Sequence, residues 1–183
     1  MPEVCVFLSV KELEVKKVQF LKDFLPGEID FLEDTIRQVS PLHVDGEAEL
    51  ISESLAEIRI HGKLTVEMEC NCDRCLEPTR VPVDSQFDLF YCPMTGEDVP
   101  GEVRLDSGDT ETSFYDGDGI ELEEVLREHI LLSLPMQKLC REDCKGICPR
   151  CGQNNNVALC TCDVRPGDDR WLALREVKLN LEN

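Results

Sequence analysis

The sequence predicts an α+β fold: a mainly antiparallel β-sheet, one packing helix and a cysteine-rich C-terminal module. Three observations carry that expectation. Residues 57–69 alternate polar and apolar side chains, residues 122–130 repeat apolar side chains at helical spacing, and Cys140 to Cys162 holds six of the eleven cysteines. The expected organisation is a mainly β body over residues 1–92, containing a hairpin with a C-x2-C tip. An acidic Gly/Pro-rich loop over 93–119, a packing helix over 120–135 and the cysteine-rich module over 136–183 follow.

Taken in order, Val4 to Val10 is a short apolar run with β-branched members, which predicts a first strand. Residues 11–38 read as helical or irregular packing by Leu13, Phe20, Phe24, Phe31, Leu32 and Ile36 around the break at Pro26-Gly27. His43 to Ser52 begins an extended arm. In Glu57 to Glu69, the residues Ile58, Ile60, Leu64, Val66 and Met68 share one face, as in a half-buried strand. That strand runs into Cys72-Asp73-Arg74-Cys75, and Arg80 to Tyr91 reads as its return, so the cysteine pair sits at a hairpin tip. Residues 93–119 interleave Gly and Pro with acidic side chains and read as a loop. Asp118 and Glu121 form a capping-box-like start to a helix whose stripe is Leu122, Val125, Leu126, His129 and Ile130, stopped by Pro135. His129 on that stripe reads as a packed histidine. Asp168 to Leu179 reads as a short terminal helix with Trp171 as a packing anchor.

Formal net charge is −19, and residues 1–134 hold 31 of the 38 acidic but 11 of the 19 basic side chains. Phosphate contacts need clustered Lys and Arg, so the body is a poor nucleic-acid surface. It suits a basic protein partner, or simply a soluble surface. No apolar stretch is long enough to span a bilayer. The opening Met1-Pro2-Glu3-Val4 has no basic end or apolar run of a secretory signal, which predicts a cytoplasmic protein with reduced thiols.

Metal binding therefore explains the cysteines better than disulfides do. Cys148-Pro149-Arg150-Cys151-Gly152 has knuckle form: two thiolates three positions apart share one ion when the chain turns tightly between them. Pro149 presets the turn and Gly152 supplies a permissive backbone after it. Cys160 and Cys162 face one way on an extended segment and complete a tetrahedral set with Cys148 and Cys151. Cys72 and Cys75 with Cys140 and Cys144 make a second set that uses every clustered thiol. A single site of Cys140, Cys144, Cys148 and Cys151 is the competing assignment, and Cys70 competes with Cys72 as a ligand. Cys5 and Cys92 read as buried small hydrophobes. Four thiolates suit zinc, which predicts two structural zinc ions in a zinc-ribbon-like module. The dithiol-redox reading of Cys148 and Cys151 lacks the strand–motif–helix context it needs.

Catalysis has little support. The three histidines, His43, His61 and His129, form no recognisable set with a nucleophile, and four-thiolate sites leave no open position on the metal. No small-molecule substrate is implied.

The combination of Cys72-Asp73-Arg74-Cys75, the helix ending at Leu134-Pro135, and Leu139-Cys140-Arg141-Glu142-Asp143-Cys144-Lys145-Gly146-Ile147-Cys148-Pro149-Arg150-Cys151-Gly152 resembles the YceD family of bacteria and plastids. The resemblance spans most of the chain in order and extends to the terminal Cys160-Thr161-Cys162. It implies a non-enzymatic role in accumulation of large-subunit (23S) ribosomal RNA, through ribosomal RNA or a basic large-subunit ribosomal protein. Lys138, Arg141, Lys145 and Arg150 are the candidate RNA contacts. Two departures stand out: Asn154-Asn155-Asn156 where many members have Asn-Leu-Asn, and Asp168-Asp169-Arg170 where they have Asp-Pro-Arg. Neither is expected to touch a metal ligand.

Overall fold

A computed structural model describes residues 6–52, 54–94 and 112–162. Its centre is an antiparallel meander of β4 (Leu42–Ser52), β5 (Glu57–Asn71) and β6 (Pro78–Pro93). β2 (Val18–Phe24) adds antiparallel to β4, and β3 (Ile36–Gln38) pairs with Met68–Cys70 of β5, beyond the part that β4 covers. β7 (Thr112–Tyr115) lies parallel to Phe90–Pro93 and makes the six-stranded sheet mixed. β1 (Phe7–Ser9) and β8 (Gly119–Glu121) form a separate antiparallel pair. The helices are α1 (Val10–Leu13) and α2 (Leu122–Ser133).

The alternation expected in β5 is the inside face of the sheet. Ile58, Ile60, Leu64 and Met68 are fully buried, with Val66 close behind. Leu42, Val44 and Ala48 of β4 and Val83, Phe87 and Tyr91 of β6 join them, and α2 adds Leu122, Val125, Leu126 and Ile130 to the same core. The opposite face carries exposed ion pairs, among them Lys17–Glu49, Arg59–Asp88 and Lys63–Asp84. Such pairs contribute little each.

Gly46 and Gly62 face one another across β4 and β5 on the core side. A Cβ on Gly62 would lie 2.4 Å from the Asp45 carbonyl oxygen and 2.9 Å from the Phe87 ring. One on Gly46 would lie 2.6 Å from both the His61 carbonyl oxygen and the Phe20 ring. The two Phe rings fill the room the missing side chains leave.

Four sequence expectations change. The first strand is shorter than Val4–Val10, because Val10 already turns into α1. Residues 11–38 hold the end of α1 and an irregular stretch between Phe24 and Ile36, as expected, but also two strands, β2 and β3, which were not expected. In β2 the core-facing set is Val18, Phe20, Lys22 and Phe24, with the Lys22 ammonium 4.2 Å from the Phe24 ring centre. A cation–π contact lets lysine occupy an inward position, while outward-facing Leu21 is 84% exposed, so the alternation was hidden. The expected loop over 93–119 contains β7 and β8, while residues 95–111 lie outside the described residues. Finally, Asp118 does not cap α2. The helix starts at Leu122 with Glu121 at its N-cap and no side-chain cap. Residues 119–121 are held by β1 instead, and the Asp118 carbonyl accepts the Val10 N–H at 2.9 Å. At the other end Leu134 is extended before Pro135, as the proline demands. The expected terminal helix Asp168–Leu179, with Trp171, lies outside the described residues.

His129 is half-buried, with its Nε2 2.9 Å from the Ser85 hydroxyl and its ring 5.4 Å from that of Phe87. Burial lowers its pKa from the ordinary 6.5. The unfolded chain then takes up this proton at higher pH than the folded one. Its contribution to stability is complete above the unfolded pKa and declines as pH falls from there towards the folded value. His129→Gln should flatten that part of the profile, seen as a smaller shift of the urea midpoint between about pH 7.5 and about pH 5.

Candidate metal centre

The β5–β6 turn and the segment after α2 meet side by side. The Asp73 N–H donates to the Lys138 carbonyl at 2.8 Å, and the Lys138 N–H donates to the Asp73 carboxylate at 2.6 Å. Farther on, the Ile147 N–H donates to the Arg74 carbonyl at 2.9 Å, and the Arg74 guanidinium donates to the Cys144 carbonyl at 3.1 Å. Gly146 has φ +69°, and a Cβ there would sit 2.9 Å from the Arg74 carbonyl oxygen. Glycine permits both the backbone conformation and the approach.

These contacts gather the sulfurs of Cys72, Cys75, Cys140 and Cys144 within 4.8 Å of one another. The Cys72–Cys144 pair is 3.8 Å apart and the Cys75–Cys140 pair 3.6 Å. A tetrahedral ion at a zinc–sulfur distance of about 2.3 Å sets its ligands about 3.8 Å apart, so the spacing fits. A second quartet, Cys148, Cys151, Cys160 and Cys162, is gathered within the same 4.8 Å limit. The competing set of Cys140, Cys144, Cys148 and Cys151 is not gathered in this way among the described residues. Cys70 faces the main core, 1% exposed, as part of the buried cluster under the sheet. Burial raises its pKa, as it does for partly buried Cys92. None of the cysteines among the described residues is disulfide-bonded; Cys5 lies outside them.

Both C-x2-C turns are built alike. The Leu76 N–H returns to the Cys72 carbonyl at 2.8 Å, and the Gly152 N–H to the Cys148 carbonyl at 2.9 Å. The residue after the second cysteine is left-handed in each, φ +63° at Leu76 and +75° at Gly152. Only the second turn has the glycine that makes this backbone cheap.

Each quartet mixes sulfurs set up as thiolates with sulfurs held as thiols. Burial opposes ionisation of Cys72, yet backbone N–H groups of Cys140, Arg74 and Cys75 outweigh it and hold its pKa down to about 6. Burial likewise opposes Cys144, which the Asn156 amide and the Gly146 N–H lower. Burial and then the Cys144 and Cys75 sulfurs push Cys140 up to about 12. In the other quartet the N–H groups of Cys151 and Arg150 bring Cys148 down to about 6, and the Cys151 sulfur is the main cause raising Cys162 to about 12. Low and high members side by side mean that four thiolates at this spacing need a cation to ionise together.

The sequence reading missed the residues that brace these ligands. Asn156 donates from Nδ2 to the Cys144 sulfur at 3.3 Å, while its Oδ1 accepts the Lys145 N–H and the Arg141 guanidinium, each at 2.8 Å. Asn156 is the Asn that this chain shares with the Asn-Leu-Asn pattern, so its contact with the Cys144 sulfur is not part of the departure. The departure from Asn-Leu-Asn falls on Asn155, whose backbone N–H donates to the Gly146 carbonyl, a bond that depends on no side chain. Asn156→Ala should weaken metal binding about 10- to 100-fold, as lost support of a ligand does, while Asn155→Ala leaves it unchanged. Competition with a chromophoric chelator reads both.

Of the four candidate RNA contacts, Lys138 is half-buried beside Asp73, and Arg141, Lys145 and Arg150 are exposed. Arg141 is already engaged, with Asn156 and with Asp143 at 3.4 Å.

A mixed β-sheet whose longest hairpin meets a cysteine-rich tail through four thiols, with a second thiol quartet beyond, defines a protein with two potential metal centres. The chain belongs to the YceD family, the large ribosomal RNA subunit accumulation proteins; the family model matches residues 60–178. It is 30% identical over 159 residues to an uncharacterised protein of Mycobacterium tuberculosis, covering 83% of this chain and 69% of that one. It is 30% identical over 134 residues to the uncharacterised protein YlbN of Bacillus subtilis, covering 72% and 70%. A maize protein named large ribosomal RNA subunit accumulation protein YCED homolog 1, chloroplastic, is 27% identical over 139 residues, 59% of this chain and 45% of that protein. No solved structure matches.

Proposed function

We propose that this chain is a non-enzymatic factor for accumulation of large-subunit ribosomal RNA, cytoplasmic in its cell. In this reading two zinc ions are structural and the protein works by holding a basic large-subunit ribosomal protein. The gathered quartet of Cys72, Cys75, Cys140 and Cys144 is the observation that carries it, because four thiolates around one ion are a closed, structural set. Cys148, Cys151, Cys160 and Cys162 would hold the second ion. Family membership supplies the process. The acidic balance of residues 1–134 favours a basic protein over RNA as the first partner.

A second reading, direct contact with ribosomal RNA, rests on Lys138, Arg141, Lys145 and Arg150 beside the quartets. Substituting these four together should weaken particle association if RNA is touched. The primary test is depletion of the protein in cells with no second copy, followed by separation of ribosomal particles on a sucrose gradient. Loss of large subunits with precursor RNA accumulating or degrading is expected. A normal profile would end the assembly reading.

A further inference from the structure

We propose that the cavity between β1, β7, β8 and α2 is a binding site for a cationic side chain, the arginine or lysine of a basic protein. This deepens the partner reading above and rests on it for the partner's being a protein. The cavity measures about 370 Å³. Phe7, Phe114 and Tyr91 line it, together with Glu121, Glu124 and Glu128, and no Lys or Arg lines it among the described residues. Phe7 and Phe114 are 48% and 64% exposed, a cost in water that an occupant would relieve.

Tyr91 points to a ligand independently of the acids. It is only 6% exposed, yet its hydroxyl has no hydrogen-bond partner among the described residues. Neighbouring Tyr115, equally buried, donates to the Ala56 carbonyl at 2.8 Å. The Tyr91 hydroxyl is not among the enclosed polar atoms without a partner, which among the described residues are Gln38 Oε1 and His61 Nδ1, so it reaches solvent while its residue lines the cavity. Burial first, then the charges of Glu128 and Glu124, raise the Tyr91 pKa to about 12. The phenol therefore stays neutral, with oxygen lone pairs able to accept an N–H. Glu124 reaches Arg127 at 3.5 Å, but Glu121 and Glu128 have no side-chain partner among the described residues. Aromatic side chains with carboxylates attract a guanidinium or ammonium and repel phosphate. An apolar ligand would strand the carboxylates.

The test is amide-shift mapping on the full metal-loaded chain titrated with the peptide acetyl-Gly-Arg-Gly-amide, and with its citrulline counterpart. Shifts should concentrate at Phe7, Tyr91, Phe114 and the start of α2, and the uncharged citrulline peptide should not produce them. Glu128→Gln and Tyr91→Phe should each weaken binding about 5-fold or more, since each removes one polar contact. Asp84→Asn, an acid paired with Lys63 on the other sheet face, should not. Shifts scattered over the acidic surface, equal binding of citrulline, or an equal loss with Asp84→Asn would overturn the site. The peptide reads the cavity and the gradient profile reads the assembly role, so either can fail while the other stands.

Discussion

Cys72→Ser should remove one of the two proposed metal ions and free the tail while the sheet stays folded. Cys72 is fully buried at the meeting point of the β5–β6 turn and the tail, its sulfur 3.8 Å from that of Cys144. Structural zinc contributes about 10–16 kcal/mol in isolated peptides. Here much of the protein has its own core, so a loss of about 3 kcal/mol and a fall of about 10 °C in Tm are expected. Elemental analysis should find one ion in the variant and two in the parent. Trypsin should cut after Arg141 and Lys145 many times faster. Cys160→Ser should remove the other ion and leave the β5–β6 contact intact. Cys70→Ala should keep both ions, since Cys70 faces the main core. Full metal content in Cys72→Ser with an unchanged tryptic pattern would defeat the assignment.

What the sequence made legible here was local. A C-x2-C turn is specified by its own residues, and so is the alternation of Ile58 to Met68. Which pairs share an ion was undecided, because that depends on Asp73 meeting Lys138 across 65 positions of chain. β2 was obscured where Lys22 took an inward place over Phe24. The start of α2 was misread because Gly119 is drawn against the backbone of Leu8, which only β1 could reveal. Asn156 looked like part of a polar run; its contact with the Cys144 sulfur belongs to the folded tail alone.

Gly62→Ala should destabilise the sheet by about 3 kcal/mol, the upper part of the range for forcing atoms into a packed core. The sign matters, because replacing glycine by alanine at an unstrained position stabilises by restricting the unfolded chain. At Gly62 the new methyl meets the Asp45 carbonyl oxygen at 2.4 Å and the Gly46 Cα at 2.8 Å, both backbone atoms that cannot swing away. The Phe87 ring at 2.9 Å would also have to move. Gly27→Ala is the comparison. Nothing lies within 4 Å of a Cβ there, and only its φ of +94° opposes a side chain, so about 1–2 kcal/mol is expected. Urea midpoints should fall in that order with unchanged slopes. A Gly62→Ala protein as stable as its parent would mean that β4 and β5 do not approach this closely.

The first quartet ties Cys72 to Cys144, 72 positions later, and Cys75 to Cys140, 65 positions later. During synthesis the β5–β6 hairpin is complete long before those partners emerge. The nascent chain therefore offers two thiols of an unfinished site and waits for the rest. Folding of the sheet can proceed domain-fashion as it appears. Closure of the tail comes last, in a distant step that pairing of neighbouring strands cannot replace. A chain truncated before Cys140 would keep its hairpin but have no means of completing this lock. With the proposed ion in the first quartet, maturation of the protein would be coupled both to full-length translation and to the supply of metal.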